Sequence, residues 1–397
     1  MATTIKKSVL CDLVTRHCDF DFDHLIATTP EDGYDSWNGF CLPMQYTNTA
    51  DEYAAIRSSC AMFDASPMKK YRFRGEDAGG FLDRILTAPV SQLPAMRAAY
   101  GLICDEQGFL VDDGIVIKYA DDDYLLQISE QNLDELFARY NDFKALVISE
   151  ETPSLAGFAL QGPQSCAVLH HMGFSGIEQL KPFELTYFDL NGHQCLVGRV
   201  GFTGDLGYEV WFSPEALSEI EQAVSSAEQQ LNIRIPGYGL SALQICRIEA
   251  GMIVPGWDTA GEFSDDTNER TPYELTLGWN VKLERSEHFA GKDALKNHKS
   301  SGARFKMKGF TLDSQSSIEF GQALYADIDG VTTQVGTLPS CAWHTAKNHW
   351  LGFASIKAAH AERSDLFVVA DGNKINCTLC KTVFIDLPQR SQVPAPL

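Results

Sequence analysis

An alternating stretch at residues 108–118, Gly-Phe-Leu-Val-Asp-Asp-Gly-Ile-Val-Ile-Lys, constrains the fold of this chain most strongly. The alternation predicts a β-strand whose side chains point to opposite faces, entered through a turn at Glu106-Gln107-Gly108. One face would carry Phe109, Val111, Asp113, Ile115 and Ile117. Asp113 therefore stands in an apolar row, where a carboxylate is costly unless it is hydrogen-bonded or protonated. This makes Asp113 a candidate for holding a ligand or handling a proton.

The same stretch also allows a purely structural interpretation of Asp113. An exposed strand end, or a bulge at Gly114, would turn the carboxylate to solvent without any function. Asp112 lies on the opposite predicted face, together with Lys118. The residues alone leave the functional and the structural interpretation open.

The pattern around this strand predicts an α+β fold built from two similar units. In the first unit, strands at 99–105, 109–118 and 123–128 form an antiparallel meander, and an amphipathic helix follows at 132–143. The second unit, which begins near Ser154, is predicted to contain a strand at 158–163, a helix at 164–171, strands at 185–190 and 194–200, and a helix at 214–231. The order strand, helix, strands, helix occurs twice, which indicates an internal duplication.

The last hundred residues have a different pattern. Residues 304–388 consist of short alternating segments separated by Gly, Asn and Asp turns, which is typical of a small β-barrel or sandwich. We predict a domain boundary near residue 300, at Lys299-Ser-Ser-Gly302. Residues 1–300 would then hold the two interleaved α+β units, and residues 301–397 a C-terminal β-barrel domain.

Charge and hydropathy limit the classes of function that are open to this chain. The 397 residues include 53 acidic and 32 basic side chains, giving a net charge of −21. This charge disfavours nucleic acid and anionic membranes and favours cationic small molecules or basic partners, although it could also serve solubility alone. No apolar run approaches the roughly 20 residues of a membrane span, and no signal peptide is visible. We therefore expect a cytoplasmic protein without membrane contact.

The eleven cysteines and ten histidines do not form a metal-binding pattern. The odd number of cysteines, scattered through apolar stretches, indicates reduced thiols in a cytosolic protein. Cys377 and Cys380 form a lone Cys-x-x-Cys, and no His-x-x-x-His spacing occurs. We predict no metal site.

A second candidate site lies at residues 199–211, where Gly201, Gly204 and Gly207 crowd a turn between two strands. Such turns let a backbone approach a flat ligand closely. Glu209, on the following strand, could accept two hydrogen bonds from an amidine-like edge, such as the N–H and NH₂ of a pterin. The alternative is a solvated hairpin with an exposed glutamate. The role of Trp279 is also undecided, since it could be a core residue or a stacking platform.

Eight segments in order resemble the aminomethyltransferase (glycine-cleavage T-protein) family, which binds tetrahydrofolate. They cover most of residues 35–390 at the family's spacing, and their order makes the resemblance specific. The matching segments are Leu42-Pro-Met-Gln-Tyr46, Phe63-Asp-Ala-Ser-Pro-Met68, Gly108-Phe-Leu-Val-Asp-Asp113, Ala159-Leu-Gln-Gly-Pro163, Gly204-Asp-Leu-Gly-Tyr-Glu209, Arg247-Ile-Glu-Ala-Gly251, Thr271-Pro-Tyr-Glu274 and Phe289-Ala-Gly-Lys-Asp-Ala-Leu295.

The resemblance implies a three-domain ring with tetrahydrofolate in a central channel. By position, Asp113 matches the family's essential aspartate near the reacting folate nitrogens, and Glu209 matches the glutamate that holds the pterin edge. Met68, Tyr100 and Trp279 match other folate-pocket positions. The resemblance therefore favours the functional interpretation of Asp113.

Four positions depart from the glycine-cleavage pattern. An arginine four residues before Arg247 is replaced by Leu243, a tyrosine by Phe202, a histidine by Pro67 and an asparagine by Ile128. In addition, the net charge of −21 disfavours docking of an acidic lipoyl carrier protein. Relatives that take methyl groups directly from small molecules, such as dimethylsulfoniopropionate demethylases, need no such carrier.

We therefore expect a tetrahydrofolate-dependent methyl or one-carbon transferase that acts on a small methylated amine or sulfonium compound. Four aromatic residues, Tyr34, Trp37, Tyr46 and Trp257, could form a cation–π cage for such a donor. One alternative is the glycine-cleavage T-protein itself, working with a lipoyl carrier. Another is a folate-binding regulator of the same fold without transfer chemistry.

Overall fold

The structure is a computed structural model that describes residues 5–27, 33–129, 132–259, 269–390 and 392–393. Its α-helices are α1 (Cys11–Thr15), α2 (Phe22–Ala27), α3 (Thr49–Ser58), α4 (Ala78–Ile85), α5 (Asp134–Tyr140), α6 (Ser165–His171), α7 (Leu217–Leu231), α8 (Leu240–Glu249) and α9 (Lys292–Ser301). No helix in this part of the chain is long and apolar enough to cross a membrane.

The strands of the first three sheets come from the first 212 residues. They are β1 (Tyr34–Trp37), β2 (Phe40–Pro43), β3 (Ala61–Asp64), β4 (Lys69–Arg74), β5 (Arg97–Cys104), β6 (Leu110–Ala120), β7 (Asp123–Ile128), β8 (Val147–Glu150), β9 (Ala156–Gln161), β10 (Leu185–Leu190), β11 (His193–Gly198) and β12 (Gly207–Phe212). β1 and β2 form a hairpin, and the other ten strands form two five-stranded antiparallel sheets.

The two five-stranded sheets share one topology. The first has the order β5-β6-β7-β4-β8 and the second the order β10-β11-β12-β9-β3. In each, a strand and a helix lead into a three-stranded meander whose third strand pairs back with the first strand of the unit. This is the repeated order that the sequence predicts. The chain crosses between the units, because β3 precedes the first unit in sequence but pairs with β9 of the second sheet.

The C-terminal region forms a curled seven-stranded sheet, a half-barrel. Its strands are β13 (Phe305–Leu312), β14 (Gln322–Ile328), β15 (Val331–His344), β16 (His349–Lys357), β17 (Leu366–Ala370), β18 (Asn373–Asn376) and β19 (Thr378–Cys380), in the order β18-β17-β14-β15-β16-β13-β19. The predicted α+β class with a C-terminal barrel-type sheet is thereby confirmed.

Most predicted helices are present, with shorter ends. The helix predicted at 132–143 stops at Tyr140, because the side chain of Asn141 accepts a hydrogen bond from the N–H of Phe143 and replaces the helical pattern. The helix predicted at 214–231 begins as a short 3₁₀ turn, and Ser213 accepts the N–H of Glu215 at 3.4 Å as the expected cap.

Each sheet has an outer core against helices and an inner face toward the other sheet. Phe81, Leu126 and Phe137 belong to the outer core of the first sheet, and Phe158 and Val210 to that of the second. A third cluster joins the inner faces and contains Ala65, Ala98, Ile117, Leu125, Leu185, Leu196 and Trp211. Side chains that alternate away from the helices therefore meet between the sheets.

We predict that Gly157→Ala destabilises the protein by about 1–3 kcal/mol, because overpacking a full core forces side chains out of place. Gly157 lies opposite Trp211 in the ladder, and an added Cβ would stand 2.1 Å from the indole ring. Urea unfolding followed by circular dichroism measures the change. Gly80→Ala is the control, since its Cβ would meet only Phe143, at 3.6 Å, and alanine favours the helix. Equal midpoints for the two variants would contradict this packing.

Candidate functional site

Asp113 lies on β6, half-buried on the inner face of the first sheet. The hydroxyl of Tyr100, on the adjacent strand β5, donates a hydrogen bond to Oδ2 of Asp113. The backbone N–H of Asp113 donates to Oδ1 of Asp112 at 2.8 Å. Burial raises the pKa of Asp113 to about 7; the Tyr100 hydroxyl opposes this, while the charges of Asp112 and Asp258 add to it. Asp113 can therefore exist in either protonation state near neutral pH.

A β-bulge precedes Asp113, but not at the residue that the sequence suggested. Ile103 pairs with Asp112 and Cys104 with Leu110, so Val111 is the extra residue, and Gly114 pairs regularly with Gly101. Val111 packs against the outer core instead of sharing a face with Asp113. The expected alternation fails there because an inserted residue shifts the pleat by one position, and it holds from Asp113 onward.

Trp279 extends the Asp113 end of the site. Its ring stacks on Tyr100 with centroids 5.9 Å apart and an interplanar angle of 24°. The indole is 62% exposed, so Trp279 is a platform and not a core residue. Asn280 fixes this arrangement, since its amide donates to the carbonyl of Tyr100 at 2.9 Å and accepts from the hydroxyl of Thr87 at 2.8 Å. The exposed face of Trp279 suits a flat ligand.

Glu209 forms the other end of the site, on β12 of the second sheet. It is 7% exposed, which excludes the solvated-hairpin alternative. The indole N–H of Trp211 donates to its Oε2 at 3.3 Å. Burial raises the pKa of Glu209 to about 7, and the charge of Lys70 opposes that rise. A buried carboxylate with one hydrogen bond retains acceptor capacity for a ligand with two N–H donors.

Lys70 is a site residue that the sequence reasoning missed. It is fully buried on β4, and its Nζ donates to the carbonyls of Ser66 at 2.8 Å and Met68 at 2.6 Å. Met68, which the resemblance assigns to the folate pocket, packs against the inner cluster. Alternation along the strand places residues 68 and 70 on one face and is the signal that could have found Lys70.

One row of side chains connects the two ends of the site. Lys70 pairs with Gln127, Gln127 with Ile115, and Ile115 with Tyr100, across the four strands β4, β7, β6 and β5. Gln127 is 1% exposed, and neither its amide oxygen nor its nitrogen has a hydrogen-bond partner among the described residues. The inner face of the sheet thus places polar groups between Glu209 and Asp113.

The structure does not bring the four proposed cage aromatics together in the described contacts. Tyr34 is 5% exposed in a cluster with Cys11 and Cys41, and Tyr46 is buried edge-on against Phe20. Both are core side chains, because their ring faces are already covered. Of the other two, Trp37 donates its indole N–H to the carbonyl of Ser129 at 2.8 Å, and Trp257 is half-buried.

The four departures from the family pattern lie in different surroundings. Leu243 packs in one cluster with Trp37 and Tyr53, and the carbonyl of Pro67 accepts from Asn38, the neighbour of Trp37, at 2.8 Å. Ile128 belongs to the outer core of the first sheet, and Phe202 is 37% exposed. Only Leu243 and Pro67 are therefore associated with the surroundings of Trp37.

No group of three or more His, Cys, Asp and Glu side chains in the described ranges could hold a metal ion. All eleven cysteines have free thiols, Cys377 and Cys380 included.

Two five-stranded antiparallel sheets with a half-barrel beside them form the fold that the resemblance implies. The half-buried Asp113 and the buried Glu209 lie on the inner faces of the two sheets. Comparison with known families agrees. The family model described as the GCVT N-terminal domain matches residues 34–285, and the chain belongs to this aminomethyltransferase family. The resemblance seen in the sequence is confirmed.

The relatives match over most of their length. The aminomethyltransferase of Halothermothrix orenii is 30% identical over 341 residues, which cover 85% of this chain and 91% of the relative. That of Anoxybacillus flavithermus is 29% identical over 88% of this chain and 93% of the relative. The glycine cleavage system aminomethyltransferase T of Bartonella henselae superposes with a TM-score of 0.78 at 20% identity, covering 98% of this chain and 99% of that one, which shows the shared fold.

Members of this family use tetrahydrofolate, and the chain is a tetrahydrofolate-dependent one-carbon transferase. The residues present suit this cofactor. Glu209 offers acceptors for the two N–H donors of a pterin edge, Trp279 offers an exposed stacking face, and Asp113 is a carboxylate able to change its protonation state.

We predict that Asp113→Asn stabilises the protein at pH 8 by about 2 kcal/mol but has little effect near pH 4. The carboxyl titrates near pH 7 when folded and at 3.8 in the reference state, so the stability that its protonated form supplies is lost as pH rises from about 4 to 7. Asparagine does not ionise, so the variant keeps its stability as the pH rises. Urea unfolding of both proteins at several pH values measures the difference, and a difference independent of pH would contradict the raised pKa.

Proposed function

We propose that the enzyme transfers a methyl group from a small, free methylated amine or sulfonium compound to tetrahydrofolate. The observation that carries this proposal is the place of Leu243, where the glycine-cleavage pattern has an arginine. Leu243 packs against the same apolar cluster as Trp37 and Tyr53. An apolar side chain beside aromatic rings suits a methylated cation, which binds through dispersion and cation–π attraction. Leucine in place of the family's arginine also removes a positive charge that would repel such a donor.

Asp113 acts at the reacting end of the site. Tetrahydrofolate, when bound, supplies N5 as the acceptor of the one-carbon unit. The Asp113 carboxylate stabilises the positive charge that develops at that nitrogen and accepts its proton. Tyr100 donates to Oδ2 and so orients the carboxylate, which leaves Oδ1 for the ligand. If the donor is an onium compound, its leaving group departs neutral and needs no acid, so the remaining task is alignment in a dry site.

Glu209 would hold the pterin edge of the cofactor, and Trp279 would stack on the cofactor next to Asp113. The Glu209 carboxylate accepts from the 2-amino group and N3–H of the pterin, and Trp211 fixes the rotamer of Glu209 by donating to Oε2. Trp279 and Tyr100 provide stacked aromatic surface next to Asp113. Binding energy from these contacts aligns the acceptor with the donor.

We expect Asp113→Asn to lower methyl transfer by at least ~10²-fold, because general-base and charge-stabilising groups typically contribute this much. Affinity for tetrahydrofolate should change only a few-fold, since Asn still accepts the Tyr100 hydrogen bond and Glu209 is untouched. Single-turnover formation of 5-methyl-tetrahydrofolate and calorimetric titration measure the two quantities. Turnover equal to that of the wild type would exclude this role for Asp113.

A second candidate is aminomethyl transfer from a lipoyl carrier protein. The names of the relatives favour it, and so does a groove of about 760 Å³ beside the half-barrel. Lys306, Lys308, Arg363 and Lys381 line that groove, with Lys308 and Arg363 in ion pairs with neighbouring acids. Although the whole chain carries −21, this local basic surface could receive an acidic partner.

A donor screen distinguishes the two candidates. Methylated amines, sulfonium compounds and methoxy-aromatics are each incubated with enzyme and tetrahydrofolate, in parallel with an aminomethyl-loaded lipoyl carrier. We expect 5-methyl-tetrahydrofolate from a free onium donor, and a loss of at least ~10-fold in Leu243→Arg, because a guanidinium would be placed in apolar surroundings. Leu243→Met is the volume-matched control. Formation of 5,10-methylene-tetrahydrofolate with the carrier alone would decide for aminomethyl transfer.

A further inference from the structure

Lys70 is a buried cation whose role is not explained by the folding of its own strand. It is 0% exposed, and its Nζ donates to two backbone carbonyls of the turn before β4, those of Ser66 and Met68. Carbonyl oxygens satisfy two of its three donors but do not neutralise its charge. Burying an ammonium group is costly unless a nearby negative charge compensates.

The compensating groups lie on the facing sheet. The Nζ of Lys70 stands 4.9 Å from the centroid of the Trp211 ring. The N–H of the same indole donates to Oε2 of Glu209 at 3.3 Å. Cation, ring and carboxylate therefore form a series that joins β4 of the first sheet to β12 of the second. A cation–π contact is stronger in a desolvated position such as this one.

We propose that Lys70 is a positioning residue for Glu209: it holds the Trp211 ring through its face and keeps the Glu209 carboxylate ionised for the pterin edge. The inference rests on the proposed role of Glu209 in cofactor binding. An ionised carboxylate accepts both N–H groups of that edge, whereas a protonated one presents a donor to another donor. Lys70 would thus act on cofactor affinity without contacting the cofactor.

The charged groups around this series predict its dependence on pH. Burial lowers the pKa of Lys70 to about 7, and the charges of Asp64, Glu209 and Glu150 oppose that fall. Glu209 also lies near the Tyr238 hydroxyl. Burial raises the pKa of Glu209 to about 7 against the opposing charge of Lys70, while the Asp64 carboxylate is held by the N–H of Ser66 at 3.0 Å. Removing the lysine charge should therefore move the ionisation of Glu209 to higher pH. The pH at which the affinity for folate rises should move upward by the same amount.

The test is calorimetric titration with 5-methyl-tetrahydrofolate between pH 5.5 and 9. In the wild type, affinity should rise through neutral pH as Glu209 ionises. Lys70→Met and Lys70→Gln should shift the midpoint upward by about one pH unit and weaken binding at pH 7 by about fivefold. Lys70→Arg keeps the charge, and its midpoint should stay close to that of the wild type. The glutamine variant retains a donor for the two carbonyls and decides the outcome if the methionine variant does not fold.

The variant Glu209→Gln tests the role of Glu209 separately from the role of Lys70. If this variant binds like the wild type at every pH, the proposed role of Glu209 fails, whatever Lys70 does. If it abolishes the pH dependence while the neutral Lys70 variants leave the midpoint unchanged, the role of Lys70 is overturned and that of Glu209 stands. An equal loss of affinity at every pH in the neutral variants would likewise assign Lys70 a purely structural role.

Discussion

The buried carboxylate of Glu249 joins helices α3 and α8 to the C-terminal half-barrel. It is fully buried at the end of α8, where it accepts hydrogen bonds from Arg57 on α3 at 2.9 Å, Tyr53 on α3 at 3.0 Å and His344 on β15 at 2.9 Å. Burial alone would raise its pKa, but the His344 contact and the charge of Arg57 lower the pKa to about 2. A permanent charge at this junction fastens the half-barrel to α3 and α8, because its partners come from both sides.

This attachment matters for the site, because residues of the junction also reach the catalytic end. Arg247, two residues before Glu249, pairs with Asp258 at 2.6 Å and donates to Ser340 of the half-barrel at 2.8 Å. The charge of Asp258 contributes to the raised pKa of Asp113. Arg247 therefore connects Asp258, whose charge acts on Asp113, with Ser340 of the half-barrel.

Much of this arrangement could be predicted from the sequence. Strand alternation predicts that Asp113 lies in an apolar row, and the order of the motifs singles out Glu209, Met68, Tyr100 and Trp279. The bulge at Val111 could not be predicted, since it depends on the register with β5. Tyr34 and Tyr46 look like cage residues in sequence, yet they are covered by core neighbours that come from distant segments. Lys70 was missed for the same reason: its partner Trp211 lies 141 residues away and on another sheet.

The departures from the family pattern carry unequal weight once their surroundings are known. Ile128 stands where the family has an asparagine, in the core between the first sheet and its helices, and so it affects packing. Phe202 lies in an exposed loop. Leu243 differs, because it contacts the cluster of Trp37, whose indole is tied to the end of β7 through Ser129. A change there alters the surroundings of the site while Asp113 and Glu209 keep their places. Selection for a different donor would act on such a position, since it can change what is bound without moving the groups that hold the cofactor.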